Sequence, residues 1–173
     1  MTRVLLVTGS RSLADHPGAE AWARGLIRAA LADVDLLIVR DAPGPDAWAL
    51  REAWDHSTDG RAFYVRRYVT HGHHAGWVVT EAEMRRRPWT HDIPPRKGDP
   101  RDLTRAWYLL RNERMVVSAR DLLNRGHVVT ALALLDGTKR DAPGRRATRG
   151  TEHTAGLAER AGLSVQREVW RGR

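Results

Sequence analysis

The sequence has 173 residues and a mass of 19.5 kDa, which fits one domain and excludes two full ones. Hydrophobic residues at 42% and charged residues at 29% exclude a disordered or fibrous chain, and the absence of Cys excludes a disulfide framework, an iron–sulfur cluster and a thiol nucleophile. The formal net charge is +8, and only two of the 29 basic residues are Lys, so the positive charge resides on Arg, which binds phosphate bidentately.

Strand and helix patterns alternate along the chain. Apolar runs typical of buried strands predict strands at residues 3–8, 34–39, 63–69, 127–135 and 163–169. Apolar residues at helical spacing predict helices at residues 17–32, 45–54, 103–123 and 151–161. This order predicts an α/β fold, a Rossmann-like three-layer sandwich with a mostly parallel five-stranded sheet, in which ligands bind at the carboxyl ends of the strands.

Two stretches do not fit this alternation. Residues 70–100 are rich in Gly and Pro and predict an irregular insertion within a single domain spanning 1–173, and residues 136–149 predict a polar, basic loop. The longest apolar runs are far shorter than the roughly 20 residues of a membrane span, and the start of the chain lacks the apolar region of a secretory signal. We therefore expect a cytoplasmic protein that does not enter membranes.

The sharpest local signal is Arg149-Gly150-Thr151, which opens the last predicted helix. Glycine lets a ligand approach the backbone, and the free N–H groups and dipole of a helix N-terminus attract anions. Thr151 is expected to cap the helix or bond a phosphate oxygen, with Arg145, Arg146 and Arg149 neutralising the charge. An ordinary capped helix after a surface loop would give the same pattern.

A second candidate site follows the first predicted strand. There, Thr8-Gly9-Ser10-Arg11 places a hydroxyl on either side of a glycine and an Arg beside them. This segment is neither a GxGxxG dinucleotide fingerprint nor a P-loop. Gly137, in the loop after the fourth predicted strand, is a further candidate ligand contact.

The third predicted helix carries the segment Arg111-Asn112-Glu113-Arg114-Met115. At helical spacing Arg111 and Met115 share one face, with Arg114 beside them. The alternative is a solvated face on which both Arg residues pair with acidic neighbours.

Four segments in this order resemble the small single-domain members of the SLOG superfamily, the YspA-like and YpsA-related proteins. The segments are Val-Thr-Gly-Ser-Arg at 7–11, Ala-Pro-Gly-Pro-Asp-Ala at 42–47, Arg-Asn-Glu-Arg-Met-Val at 111–116 and Arg-Gly-Thr-Glu-His-Thr at 149–154. These proteins are distant relatives of the LOG phosphoribohydrolases and of the DNA-processing protein DprA. The resemblance covers most of the chain outside residues 70–100.

The resemblance implies a Rossmann-like fold whose pocket binds a nucleotide or a nucleotide-derived ligand. It implies that Asp46 accepts hydrogen bonds from a ribose hydroxyl and that Thr151 and Gly150 hold a phosphate. The ligand-binding residues it implies, together with those indicated above, are Thr8, Gly9, Ser10, Arg11, Gly44, Asp46, Arg111, Asn112, Gly137, Arg149, Gly150 and Thr151.

The sequence departs from the family pattern at two places. Arg40-Asp41 stands where family members usually carry a His-Gly-Gly turn. The LOG enzymes place a Glu three residues after the Thr of Gly-Gly-x-Gly-Thr, whereas Thr154 holds that position here and the carboxylate is on Glu152. That shift turns the carboxylate by about 200° around the helix, which favours binding without turnover.

Three functions follow from these observations. The first is binding or sensing of a nucleotide-derived ligand such as a nucleoside monophosphate or ADP-ribose. The second is hydrolysis of a nucleotide N-glycosidic bond, with Arg111, Arg114, Glu113 and Glu152 as the candidate catalytic residues, so whether the protein is an enzyme stays open. The third is nucleic-acid binding, indicated by the net charge and by Arg85-Arg86-Arg87 next to Trp89.

The segment 70–100 raises two further alternatives. Its histidines at 71, 73 and 74, with His91 and Asp92, suggest a metal site, but no regular element presents them, so no metal and no cofactor are expected. Its Trp77 and Trp89 suit either a pocket wall or a homodimer contact.

Overall fold

A computed structural model, which describes residues 1–40, 42–57, 64–68, 77–79, 101–139 and 149–172, contains a sheet with helices packed on both faces. The strands are β1 Arg3–Gly9, β2 Leu36–Arg40, β3 Tyr64–Tyr68, β4 Trp77–Val79, β5 Val128–Asp136 and β6 Ser164–Trp170. The helices are α1 Ala19–Leu31, α2 Pro45–Ser57, α3 Arg101–Asn124 and α4 Arg149–Arg160, and short 3-10 helices occur at Arg11–Asp15 and Gly137–Lys139.

The six strands lie in the order β4-β3-β2-β1-β5-β6. All neighbours are parallel except β3 and β4, so the Rossmann-like α/β prediction is confirmed. The expected count of five strands is wrong by one, because β4 falls inside the segment 70–100 that was predicted to be irregular. A three-residue strand is too short to show a period in the sequence.

Strands β2 to β4 lie on one side of β1, and β5 and β6 lie on the other. The strand order therefore reverses between β1 and β5, and ligands bind at this reversal in doubly wound folds. The register aligns Thr8 with Ala133 and Gly9 with Leu134, so β1 and β5 end side by side at one edge. We call this the carboxyl edge.

The sheet separates two apolar layers, and successive β1 residues enter them alternately. Leu5 and Val7 pack with α1 and α2, whereas Val4 and Leu6 pack with α3 and α4. Both sets are almost fully buried, which explains the continuous apolar run from Val4 to Val7.

A buried carboxylate joins α1 to α2, and an aromatic contact joins α1 to β6. Glu52 of α2 accepts hydrogen bonds from Arg28 at 2.9 Å and from Arg24. Burial raises the pKa of Glu52, but the bonds from Arg28 and Arg24 outweigh it and hold the pKa below the usual value. Trp22 of α1 packs against Trp170 of β6 with ring centroids 5.4 Å apart.

Within the described ranges, none of the helices combines the length and the apolar character that a membrane span requires.

Candidate functional site

The α3 and α4 side of the carboxyl edge carries buried polar residues. Val4 and Leu6 of β1 pack under these helices, so by strand alternation Thr8 continues the same face toward the edge. On α3, Arg111 and Asn112 precede the apolar residues Met115 and Val116 by one turn and are buried like them.

Helix α4 brings Thr151 and Thr154 to the same region. Its buried stripe runs from Ala158 back through these two residues toward the N-terminus of the helix. A Cβ on Gly162 would lie 3.9 Å from Leu123 Cδ2, so the ends of α3 and α4 are neighbours. Counting back about eleven residues along each helix, roughly 16 Å, places Asn112 level with Thr151.

We call Thr8, Arg111, Asn112, Thr151 and Thr154 the α3–α4 polar cluster. Each of these residues is at most 5% exposed. All of these residues except Thr154 were predicted from the sequence to contact the ligand. The fold brings them to the carboxyl edge of the sheet, on the side covered by α3 and α4.

The α3–α4 polar cluster contains buried polar atoms that the described residues leave without a hydrogen bond. Thr8 Oγ1 and Asn112 Oδ1 are buried and bond to nothing in the part of the chain that the structure describes. The same is true of Nε2 of His153, beside the cluster on α4. An unsatisfied buried polar group costs roughly 1–3 kcal/mol. A bound ligand that supplies the missing partners would remove this cost.

Replacing Thr8 with Val is expected to raise the free energy of unfolding by about 1 kcal/mol, because Val keeps the shape and removes a hydroxyl that has no partner. Thr154→Val is the matched control, since the hydroxyl of Thr154 donates a 2.8 Å hydrogen bond to the Gly150 carbonyl. That control is expected to lose about 1 kcal/mol. Urea denaturation measures both changes, and a loss of stability in Thr8→Val equal to that of the control would contradict the prediction.

At the start of α2, Asp46 forms a buried ion pair with Arg40, the last residue of β2. Arg40 donates to Asp46 from Nε to Oδ1 and from Nη2 to Oδ2, both at 2.7 Å, and its Nη2 also bonds the Gly9 carbonyl at 2.8 Å. Its backbone N–H reaches Asp46 Oδ1 at 3.3 Å. The carboxylate expected to accept from a ribose is therefore engaged by Arg40, a residue that sequence reasoning did not place in the site.

Three of the four glycines predicted to contact ligand, Gly9, Gly44 and Gly137, have packing or backbone roles in this structure, whereas a Cβ on Gly150 would meet nothing within 4 Å. A Cβ on Gly9 would lie 2.3 Å from Pro45 Cβ and Cγ, so glycine is needed for α2 to start against the end of β1. Gly44 has a φ of +81°, which the turn into α2 requires. A Cβ on Gly137 would lie 2.7 Å from Val169 Cγ1, so this residue packs against β6.

A hydrogen-bond network joins the segments that follow β1 and β5. Asp136 Oδ2 accepts from Ser12 Oγ at 2.5 Å and from His16 Nε2 at 3.0 Å, and Oδ1 accepts from Thr138 Oγ1 at 2.6 Å. The Asp136 N–H donates to Ser10 Oγ at 3.4 Å. Burial raises the pKa of Asp136, but the hydrogen bonds from Ser12, Thr138 and His16 outweigh it and hold the pKa below the usual range.

The remaining predicted site residues do not join the α3–α4 polar cluster. Arg11, Glu113 and Arg114 are exposed, and Glu152 is half-buried in the first turn of α4. Gly150 is exposed at the start of α4, where Arg149 contributes the first helical residue. The residues outside the described ranges include the basic run at 85–87, Trp89, His71, His73, His74, His91, Asp92, Arg145 and Arg146.

The sheet and the α3–α4 polar cluster define a Rossmann-like α/β protein with buried polar groups at its carboxyl edge. No protein-family model and no curated protein matches the chain. Among solved structures it is similar to DNA processing protein A (DprA) from Streptococcus pneumoniae, at 11% sequence identity and a TM-score of 0.41. The match covers 95% of this chain and 58% of that one, so this chain spans less than two thirds of the length of DprA.

Proposed function

We propose that the protein binds a nucleotide-derived ligand, such as a nucleoside monophosphate or ADP-ribose, at the α3–α4 polar cluster. The observation that carries this proposal is that two buried atoms at the carboxyl edge, Thr8 Oγ1 and Asn112 Oδ1, form no hydrogen bond with the described residues. Natural folds keep such groups where something other than the fold satisfies them.

The chemistry of the cluster suits a phosphorylated ligand with hydroxyl or amino groups. Arg111 supplies a buried guanidinium, and Thr151 lies in the first turn of α4, where the helix dipole attracts an anion. Asn112 Oδ1 only accepts hydrogen bonds, so it pairs with a ribose O–H or a base N–H. The Thr8 hydroxyl can donate or accept.

The arrangement favours binding over cleavage of an N-glycosidic bond. Such cleavage develops positive charge on the sugar, which a nearby carboxylate stabilises. Among the described residues the buried carboxylates are Asp46, Glu52 and Asp136, and each is engaged by the Arg or hydroxyl partners given above. Glu113 points to solvent.

Thermal unfolding with a panel of nucleotides tests the proposal. A ligand at 100 times its Kd stabilises the folded state by about 2.7 kcal/mol, which raises Tm by roughly 5–10 °C for a domain of this size. The panel should contain adenosine, adenosine 5′-monophosphate, ADP-ribose and single-stranded DNA. A panel in which no compound raises Tm would contradict the proposal, and a shift with DNA alone would favour nucleic-acid binding.

Asn112→Ala is expected to weaken binding of the best ligand in that panel about tenfold, because the ligand donor loses its acceptor. Asn124→Ala is the matched control, since Asn124 is exposed at the end of the same helix. Titration calorimetry on both variants measures the change. Equal affinities for the two variants would remove Asn112 from the site.

A further inference from the structure

Arg40 is a buried charged residue at the end of an otherwise apolar strand. It is 4% exposed and follows Leu36 and Ile38 on the face of β2 that packs with α3 and α4. Its guanidinium lies across the carboxyl edge, where it bonds the Gly9 carbonyl of β1 and both carboxylate oxygens of Asp46.

The Nη1 group of this guanidinium makes no hydrogen bond to the described residues. Within the described residues, the hydrogen bonds of the Arg40 side chain come from Nε and Nη2. Asp46 holds the Nε and Nη2 edge, so the two N–H groups of Nη1 lie on the edge away from that carboxylate. They remain charge-assisted donors for an anionic group.

The strand order gives the separation between Arg40 and the end of β5, the strand that precedes α4, and this separation sets the scale of the ligand. β1 separates β2 from β5, and α4 follows β5. Neighbouring strands lie about 4.8 Å apart, so Arg40 and the end of β5 are separated by roughly 10 Å along the carboxyl edge. This distance is comparable to the span of one nucleoside with an anionic group at either side.

We propose that Arg40 Nη1 forms a second anion subsite, so that the preferred ligand is a nucleotide with a second anionic group on the far side of its ribose. This inference rests on the proposed nucleotide binding at the α3–α4 polar cluster. Thr151 and Arg111 hold the first anionic group, and Arg40 takes the place at which the sequence had suggested recognition of a ribose hydroxyl by Asp46.

Titration calorimetry with adenosine 5′-monophosphate and adenosine 3′,5′-bisphosphate tests the subsite. The protein is expected to bind the bisphosphate about tenfold more tightly than the monophosphate. Arg40→Lys keeps the charge beside Asp46 and removes the second edge of donors. It is expected to reduce the preference to less than about threefold while leaving the Kd of the monophosphate unchanged.

Arg24→Lys is the matched control, since Arg24 also bonds a buried carboxylate, that of Glu52, on the outer layer of the fold. It is expected to keep the tenfold preference. Equal affinity of the natural protein for both probes, or a full preference in Arg40→Lys, overturns the subsite and leaves nucleotide binding standing. Binding of neither probe overturns both.

A second variant covers the case in which Arg40→Lys does not fold. Asp46→Asn keeps Arg40 and removes the carboxylate that competes for it, so the preference for the bisphosphate is expected to rise. An unchanged or reduced preference in Asp46→Asn overturns the subsite.

Discussion

Replacing Asp46 with Ala is expected to lower the free energy of unfolding by about 3–5 kcal/mol, because the guanidinium of Arg40 is left buried without its counter-charge. Asp46 is fully buried, and both of its oxygens bond Arg40. The corresponding fall in Tm is roughly 10 °C for a domain of this size. Urea denaturation with an unchanged m-value would attribute the loss to the folded state.

The double variant Arg40→Met with Asp46→Leu separates two contributions to the free energy of unfolding: the penalty of a buried charge without a partner, and the net contribution of the intact ion pair. Replacing a buried ion pair with apolar residues of similar volume is often neutral, so this variant is expected to recover most of the lost stability. Glu159→Ala, which removes the exposed partner of Arg167, provides the surface comparison and is expected to change little. A single Asp46→Ala change as mild as Glu159→Ala would contradict the prediction.

Asp136→Asn is expected to destabilise the protein by about 2–4 kcal/mol and to flatten its acid denaturation. The carboxylate accepts from Ser12, His16 and Thr138 at once, and an amide would direct its NH₂ group at some of these donors. Because the folded protein lowers the pKa of Asp136, the ionised form contributes stability above the unfolded pKa of about 3.9. That contribution is lost as the pH falls through the folded pKa.

Chemical denaturation between pH 7 and pH 2 measures this dependence. The natural protein should lose stability below about pH 4, and Asp136→Asn should lose less over the same window. Some dependence should remain, since Glu52 also has a lowered pKa. Asp33→Asn is the control, because the Asp33 side chain is 76% exposed. A variant curve that runs parallel to that of the natural protein would contradict the role given to Asp136.

The fold could be predicted from the sequence because its elements carry their own periodic patterns. The apolar runs of β1, β2 and β5 and the helical spacing in α1 and α4 gave the order and class correctly. The strand β4 could not be predicted from the sequence, because three residues are too few to show a period. Its pairing with β3 depends on tertiary contacts that the local sequence does not specify.

One part of the candidate site, the segment of α3 that begins at Arg111, could be predicted from helical spacing. Helical spacing put Arg111 on the face of Met115, and both are buried, whereas Arg114, placed beside them, is exposed. Asn112 was implied only by the family resemblance. The ion pair between Arg40 and Asp46 could not be predicted from the sequence, because it depends on how α2 packs against the ends of β1 and β2. The same holds for Gly9, whose requirement comes from its approach to Pro45.

The central position of β1 has a consequence for biosynthesis. Leu5 pairs with Leu37 on one side and with Thr130 on the other, so β1 acquires its second neighbour only after the whole segment from β2 to α3 has been made. Until then, one edge of a largely apolar strand offers unpaired backbone groups. Slow synthesis of the segment between β1 and β5 is therefore expected to increase pairing of the nascent chain with other chains.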